Sequence, residues 1–276
     1  MAWQDRSALS QPKFTAGAGV SVPAWSAVTE LWPENPRLAE VYDVECAGRW
    51  DHDFYLNVAA DIDARCVLDV GCGTGVFCVD VAAAGRRSIG VDPAEPMIDI
   101  ARSRPGGDLC EWIVGDAGDA PADTADLVVM MGHVAQYFVD DGHWARTLTQ
   151  IHRALVPGGR VTFESRNPAV DWASQWTEES SRGTLHHPRG GTFEAWVQVV
   201  ETTGPADSYT STHEGHTILP DGDHLVSSET LRFRSQAEIE ASLTAAGFTI
   251  EQRWGSWRGT ALTPDSREMI FLARRA

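Results

Sequence analysis

The stretch VLDVGCGTG, residues 67–75, decides how this chain folds. It begins with a short apolar run, which is typical of a buried parallel strand, and ends in three alternating glycines. Glycine has no Cβ, so it lets the backbone turn tightly and lets a ligand approach the main chain. A helix is predicted to follow, and its N-terminus offers unpaired N–H groups. This order predicts a nucleotide-type binding site, although the glycines alone would also fit a tight turn without a ligand.

The alternation of strands and helices continues outward from this stretch. Apolar runs predict strands at residues 66–70, 88–91, 109–114, 126–131 and 160–165. Helices are predicted between them, at residues 75–84, 94–103 and 141–155. This order favours an α/β fold with a Rossmann-like, doubly wound parallel sheet.

The pattern changes after residue 168. Stretches of alternating character at 192–203, 208–219 and 224–233 predict an antiparallel β insertion, and a helix at 235–246 and strands at 248–253 and 269–273 follow it. We therefore divide the chain into four parts. They are an N-terminal arm with helices that close over the site (1–60), a cofactor-binding core (61–168), a capping insertion (169–234), and a C-terminal helix and β-hairpin that complete the core (235–276).

Composition excludes several classes of protein. The 276 residues include 39 acidic and 22 basic residues, for a net charge of −17, so binding to nucleic acid or to an anionic membrane surface is disfavoured. Five cysteines without C-x-x-C spacing argue against a disulfide framework or a structural zinc site. No apolar run approaches the length of a membrane helix, and the first residues lack the apolar core of a signal peptide. We expect a cytoplasmic protein.

Acidic residues stand at the ends of three consecutive predicted strands. Asp92 can accept both hydroxyls of a ribose, and Asp116 can meet an adenine amino group. Asp69 precedes the glycines, where a carboxylate would repel a diphosphate and attract a cation. Together they favour an adenosine ligand that carries a positive charge and no phosphate, such as S-adenosylmethionine.

Five ordered motifs resemble those of class I S-adenosylmethionine-dependent methyltransferases. They are VLDVGCGTG (67–75), GVDPAEPMI (90–98), GDAGD (115–119), DLVVMMGHVAQYF (126–138) and LVPGGRVTFESRNP (155–168). The resemblance implies a seven-stranded sheet whose last strand is antiparallel, with S-adenosylmethionine bound along the carboxyl ends of the strands. The chain is most similar to bacterial small-molecule enzymes of the glycine/sarcosine and amino-sugar N-methyltransferase types, in which an antiparallel insertion caps the substrate.

The resemblance implies a role for each matching residue around the methionine and ribose. Gly71, Gly73 and Gly75 would shape the loop around the methionine part of the cofactor. Asp69 would hold its amino group, directly or through water, and Asp92 would bind the ribose hydroxyls.

The remaining matches are expected around the adenine and the methionine carboxylate. Pro93 and Met97 would flank the adenine, and Asp116 with Ala117 would contact its edge. Met97 would equally suit plain core packing. Tyr42 would close over the methionine carboxylate or the active site, or be an ordinary helix-surface residue.

Two residues at strand ends are candidates for the chemistry. His133 follows the fourth strand, where it could orient the acceptor, take its proton, or bond the backbone or the cofactor carboxylate. Arg166 follows the fifth strand, where it could bind a substrate carboxylate or pair with a neighbouring glutamate. A base is needed only if the nucleophile must lose a proton before it attacks.

Other polar and aromatic groups carry weaker expectations. We predict no metal site, since His213 and His216 would point to opposite faces of a strand. The run at residues 51–53 is expected on a solvated helix face. Five tryptophans could line an aromatic pocket for the acceptor or fill the core of the insertion: Trp172, Trp176, Trp196, Trp254 and Trp257.

The sequence thus predicts an enzyme that moves a methyl group to N, O or C of a small molecule by in-line displacement. A non-catalytic S-adenosylmethionine-binding protein is one alternative. A nicotinamide-dependent oxidoreductase is another, but the G-x-G-x-x-G fingerprint is absent because position 76 is Val. We expect a small-molecule acceptor, no nucleic-acid or membrane partner, and a monomer or homodimer.

Overall fold

A computed structural model describes residues 29–30, 34–48 and 50–276. Its strands are β1 (Thr29–Glu30), β2 (Cys66–Val70), β3 (Arg87–Asp92), β4 (Glu111–Val114), β5 (Ala125–Met130), β6 (Leu155–Arg166), β7 (Gly183–His186), β8 (Thr192–Thr203), β9 (Tyr209–Ile218), β10 (His224–Phe233), β11 (Phe248–Trp254) and β12 (Glu268–Arg275). Its helices are α1 (Pro36–Glu45), α2 (Trp50–Asp61), α3 (Val76–Ala83), α4 (Glu95–Ser103), α5 (Asp141–Ala154), α6 (Glu178–Ser181) and α7 (Gln236–Ala245). Most of the predicted N-terminal arm lies outside the described residues.

The larger sheet has seven strands in the order β11-β12-β6-β5-β2-β3-β4. Strands β2 to β6 are parallel, and β12 runs antiparallel to both of its neighbours. The strand β2 is buried along its whole length because helices cover both faces of a parallel sheet. The predicted Rossmann-like fold with an antiparallel last strand is confirmed. The order of the strands reverses between β2 and β5, which is where such sheets form a crevice at their carboxyl ends.

The second sheet caps the first, with the order β1-β10-β9-β8-β7. The three predicted strands of the insertion are present and antiparallel, while β7 and the short parallel strand β1 were not predicted. Trp172 and Trp176 pack with Leu231 and Phe233 in the core of the insertion. These two tryptophans therefore fill the cap, which is the second of the alternatives considered above.

Both ends of the insertion meet at one side chain. Gln136 is fully buried, and its amide oxygen accepts a hydrogen bond from Arg166 Nη1 at 3.0 Å, where the insertion begins. Its amide nitrogen donates to the carbonyl of Arg232 at 3.4 Å, close to where the insertion ends. No helix of the described residues is long and apolar enough to cross a membrane.

The strand β6 begins earlier than the sequence predicts. The sequence predicts a helix up to residue 155 and a strand from residue 160, yet the strand already starts at Leu155. Its pairing with β5 shifts between Ala125, which pairs with Leu155, and Leu127, which pairs with Arg160. The residues of the shift, which include Pro157, form a bulge, so a proline that cannot donate to the ladder is tolerated inside the strand.

Candidate active site

The glycine loop needs its glycines for two physical reasons. Gly71, Gly73 and Gly75 all have a positive φ, at 78°, 53° and 77°, which L-residues with a Cβ adopt at a cost. A Cβ on Gly71 would lie 2.5 Å from a methyl carbon of Val134, and one on Gly75 would lie 2.4 Å from the ring of Trp112. The loop therefore packs closely on its own surroundings as well as leaving the main chain open to a ligand.

A cavity of about 430 Å³ opens beside this loop, at the carboxyl ends of β2, β3 and β5. Eight of the predicted site residues line it: Tyr42, Gly71, Gly73, Asp92, Pro93, Met97, Asp116 and Ala117. We call it the first cavity. Its size is in the range of small-molecule sites, and residues far apart in the sequence converge on it.

Asp92 is a buried carboxylate with two backbone partners. Its Oδ2 accepts a hydrogen bond from the N–H of Gly73, and its Oδ1 accepts one from the N–H of Ala94, both at 2.9 Å. Burial raises the pKa of Asp92, and these two hydrogen bonds oppose that rise. Each oxygen still has acceptor capacity, so the residue can hold the glycine loop and bind a pair of hydroxyls at the same time.

A second cavity of about 320 Å³ adjoins the first. The two cavities share Tyr42, Gly71, Met131 and Gly132 in their walls. The acidic and basic residues of the second cavity are three aspartates, one histidine and one arginine: Asp43, Asp51, Asp69, His52 and Arg104.

Asp69 lines the second cavity and not the first. Its side chain is buried, and only the thiol of Cys78, at 3.7 Å from Oδ2, donates to it among the described residues. Its Oδ1 has no hydrogen-bond partner there. Burial raises the pKa of Asp69 to about 7, and the thiol hydrogen bond opposes the rise. A buried carboxylate oxygen without a partner is costly, so this geometry suits a cationic group in the cavity.

Helix α1 is attached to the glycine loop by ionic contacts. Asp43 accepts hydrogen bonds from Thr74 Oγ1 and Arg104 Nη2, each at 2.5 Å, and Arg104 Nε donates to the carbonyl of Thr74 at 2.9 Å. One residue earlier, the ring of Tyr42 lies 3.8 Å from the position that a Cβ on Gly73 would occupy. The helix thus holds Tyr42 over the loop, in the walls of both cavities.

One expectation about this region is wrong. Residues 51–53 were predicted on a solvated helix face, but Asp51 is buried and both Asp51 and His52 line the second cavity. Asp51 is four residues from Tyr55, which is fully buried, so helical spacing places both on the inward face of α2.

His133 and Arg166 lie behind the cavity walls and line neither cavity. His133 is buried, and its Nε2 lies 2.8 Å from Oε2 of Glu268. Burial lowers its pKa well below the usual value, so the imidazole is neutral. Arg166 is 1% exposed, contacts Gln136, and stacks over Trp176 with its Cζ 5.0 Å from the ring centre. Both residues make their contacts with other buried side chains, and no metal-binding group of side chains occurs in the described part of the chain.

Two buried glutamates of this cluster were missed by sequence reasoning. Glu164 accepts a hydrogen bond from the N–H of His133 at 2.6 Å and another from the hydroxyl of Tyr55. Glu268, on β12, contacts the His133 ring. The available signal was a glutamate inside the predicted parallel strand RVTFES, because a charge on a buried strand needs a partner.

Comparisons with known proteins identify a methyltransferase domain in this chain. A methyltransferase domain family matches residues 67–159. The cypemycin N-terminal methyltransferase of a Streptomyces species is 29% identical over 215 residues, which span 78% of this chain and 84% of that protein.

Solved structures share the fold over most of the chain. The CcbJ methyltransferase from Streptomyces caelestis has a TM-score of 0.69 at 22% identity and covers 89% of this chain and 98% of its own. CalS10, an amino pentose methyltransferase from Micromonospora echinaspora with S-adenosylmethionine bound, has a TM-score of 0.60 at 21% identity, covering 83% of this chain and 93% of its own.

Proposed function

We propose that this chain, which is a class I S-adenosylmethionine-dependent methyltransferase, methylates an amine nitrogen of a small molecule. The observation that carries the choice of nitrogen is the charge of the second cavity. Asp43 is paired with Arg104, whereas Asp51 and Asp69 have no ion pair with an arginine or lysine in the described part of the chain. Two carboxylates without cationic partners favour cationic ligands, and an amine acceptor is protonated in water at neutral pH.

The residues of the two cavities fit the cofactor group by group. We assign the ribose to Asp92 and the cofactor ammonium to the partnerless oxygen of Asp69. Tyr42 covers the junction of the cavities, where the reacting atoms would lie.

The adenine is assigned to the far end of the first cavity. There Met97 supplies a buried apolar side chain, and Pro93 and Ala117 supply further apolar contacts. Asp116 is exposed and keeps acceptor capacity, because among the described residues only its Oδ1 accepts a hydrogen bond, from the N–H of Gly118 at 2.6 Å.

An amine that binds as an ammonium has to lose a proton before its lone pair can attack the methyl group, and we assign the carboxylate of Asp51 to accept that proton. The chain also contributes alignment and the exclusion of water. S-adenosylmethionine supplies an already activated methyl group, so the enzyme has to hold the acceptor in line with it. Well-oriented reactants gain roughly 7–11 kcal/mol over reactants in solution. We assign Tyr42 to contact with the reacting groups, and we assign His133 and Arg166 to positioning, because both are buried behind the cavity walls.

The printed names of the relatives support the same acceptor atom. The cypemycin enzyme is named an N-terminal methyltransferase, and CalS10 is named an amino pentose methyltransferase. We further propose that the N-terminal segment (1–60) closes over the site and that residues 61–168 bind the cofactor. The insertion (169–234) would cap the acceptor, and the C-terminal helix and hairpin (235–276) would complete the core. The working protein is proposed to be a cytoplasmic monomer or homodimer.

A panel of acceptors tests the proposal. Purified protein is incubated with S-adenosylmethionine and matched pairs of small molecules that carry either an amine or a hydroxyl on the same skeleton. We expect S-adenosylhomocysteine to be released with amines, and we expect Asp51→Asn to raise the KM for the amine more than the Kd for the cofactor. Release only with hydroxyl or carbon acceptors would contradict the nitrogen assignment. Cofactor binding without release with any acceptor would favour a non-catalytic binding protein.

A further inference from the structure

We propose that Glu164 is a positioning residue for methyl transfer, because it fastens the loop of residues 131–134 to helix α2 and so fixes the junction of the two cavities. The proposal rests on the proposed function only for the identity of the reaction. The link itself is a property of the fold and can be tested without an acceptor.

The carboxylate of Glu164 joins two elements that are far apart in the sequence. It lies on β6 and is fully buried. Its Oε1 accepts a hydrogen bond from the backbone N–H of His133 at 2.6 Å, and its Oε2 accepts one from the hydroxyl of Tyr55 on α2. One oxygen therefore serves each element, and both donors point at the same carboxylate.

The loop that Glu164 holds forms part of both cavities. Met131 and Gly132 line both of them, and Val134 lines the first. Gly132 and His133 have φ values of 66° and 63°, so two consecutive residues are left-handed. This conformation is unfavourable for His133 and has to be stabilised by its surroundings. The hydrogen bond from its N–H to a carboxylate provides such stabilisation directly at the backbone.

The helix that Glu164 holds forms the opposite wall. Tyr55 lies one helical turn beyond Asp51, and Asp51 and His52 line the second cavity. When Tyr55 is fixed by Glu164, these two side chains are fixed relative to Met131 and Gly132. Acceptor and cofactor groups that bind on the two walls then keep their separation, which is what in-line transfer requires.

A carboxylate suits this position better than its amide. Glutamine has one acceptor oxygen and one NH₂ group, so it can accept from only one of the two donors through its oxygen. Its oxygen can still accept from the N–H of His133 while its NH₂ donates to the hydroxyl oxygen of Tyr55, so Glu164→Gln leaves a neutral and weaker link. Glu164→Leu removes both contacts at a similar side-chain size, while Tyr55→Phe removes only the contact with α2.

The first test is a double-mutant cycle on kinetics. For Glu164→Leu we expect kcat to fall about 10- to 100-fold, with the Kd for S-adenosylmethionine changed by less than about threefold, and Glu164→Gln should retain more of the activity than Glu164→Leu. Tyr55→Phe should reduce kcat about 3- to 10-fold. The double variant Glu164→Leu/Tyr55→Phe should be no slower than Glu164→Leu alone, because both substitutions break the same link. Glu268→Gln is the matched control: it contacts the other side of His133 and should be additive with Tyr55→Phe.

Additive effects of Glu164→Leu and Tyr55→Phe would overturn the proposal. So would an unchanged kcat in Tyr55→Phe, a variant that removes a single hydroxyl and does not depend on the folding of Glu164→Leu. A loss of activity that follows only the loss of folded protein would also overturn it.

The second test does not use an acceptor, so it separates this proposal from the function proposed above. Amide hydrogen exchange is measured on the intact protein, on Glu164→Leu, which removes the hydrogen-bond acceptor of the His133 N–H, and on Tyr55→Phe, which keeps it. For Glu164→Leu we expect faster exchange at the amides of residues 131–134 than in the wild type or in Tyr55→Phe, with unchanged exchange in β3 and β4 as an internal reference. Unchanged exchange in the loop would overturn the link even if amine methylation were established.

Discussion

Burial controls the charge of Asp69, and with it the binding of a cationic ligand. Its pKa of about 7 means that a large share of the molecules carry a protonated Asp69 at pH 6. An ammonium group binds the ionised form of Asp69. Below pH 7, Asp69 therefore has to release a proton when the ligand binds, and this weakens the affinity. We expect the affinity for S-adenosylmethionine to be on the order of tenfold weaker at pH 6 than at pH 7.5.

Calorimetry at several pH values measures this effect. Asp69→Asn is the control, since an amide does not titrate: its affinity should be low and nearly independent of pH over this range. A wild-type affinity that stayed constant from pH 6 to 7.5 would mean that Asp69 does not contact the cationic part of the ligand.

The glycine loop offers a second prediction for single residues. Gly75 and Gly85 have nearly the same φ, 77° and 80°, but a Cβ on Gly75 would lie 2.4 Å from the ring of Trp112, whereas a Cβ on Gly85 would have no neighbour within 4 Å. Gly85→Ala should therefore cost about 1–2 kcal/mol in free energy of unfolding, from backbone conformation alone. Gly75→Ala adds a steric overlap and should cost about 3 kcal/mol or more. Urea unfolding of both variants measures the difference. Equal losses in the free energy of unfolding would show that the Trp112 ring moves aside without cost.

Helix α1 carries exposed ion pairs on two sides, and their positions give them different functions. Asp43 contacts Thr74 and Arg104 beside the glycine loop, while Arg37 contacts Asp221 and Asp223 in the turn of the cap. Exposed pairs contribute little to stability, typically below 1 kcal/mol. We expect Asp43→Asn to weaken S-adenosylmethionine binding about tenfold, because Tyr42 is no longer held over the loop, while the free energy of unfolding changes little.

Arg37→Gln is the matched control for that prediction. It removes an exposed pair of the same helix away from the loop, and cofactor affinity should change by less than about twofold. Titration calorimetry and urea unfolding of both variants provide the two readouts. An equal loss of affinity in the two variants would assign the effect to the helix as a whole instead of to its contact with the loop.

Periodicity in the sequence predicted most elements to within a residue or two, for physical reasons that are local. The strand 66–70 coincides with β2, because an apolar run follows from burial on both faces. The insertion strand 224–233 coincides with β10, because alternation follows from burial on one face. The two-residue strand β1 was missed because it is extended only through its pairing with β10. The early start of β6 was missed because Pro157 normally interrupts a strand, and only the bulge beside β5 accommodates it.

The candidate site likewise contains residues that could be predicted from the sequence and residues that could not. Residues that follow a strand directly, such as Asp92 and Asp116, could be placed from the sequence because the carboxyl ends of parallel strands share one edge. Glu164 and Glu268 could not, since the two contact the same residue, His133, only because β6 pairs with β12, which lies about a hundred residues further along the chain. Asp51 was misplaced because a charged run at a helix start normally faces water, and only the fold shows a cavity on its inward side.

The buried cluster makes a prediction for the stability of the whole molecule. Burial raises the pKa of Glu268 from 4.5 to about 8, against the lowering effects of Arg166 and Arg267 and with a further rise from Asp51. The folded protein therefore retains a proton there that the unfolded chain releases above about pH 4.5. The contribution of this group is most favourable at low pH, declines as the pH rises from 4.5, and is lost above about 8.

Glu268→Gln removes that titration while keeping the shape of the side chain. The difference in Tm between variant and wild type should therefore shift in favour of the variant as the pH rises from 6 to 8.5. Differential scanning calorimetry across this range measures it. A Tm difference that did not change with pH would show that Glu268 does not change its protonation on folding in this interval.

The single amide of Gln136 has a consequence for how such a chain can diversify. This amide forms hydrogen bonds with Arg166 and with the carbonyl of Arg232. The insertion between these two residues therefore leaves the cofactor-binding core and returns to it at one place. Loops of the insertion can be lengthened, shortened or recombined with those of another gene without shifting the residues that hold the cofactor. Selection can then act on the choice of acceptor separately from the chemistry of the methyl donor. A library in which residues 169–231 are replaced would reproduce that process in the laboratory.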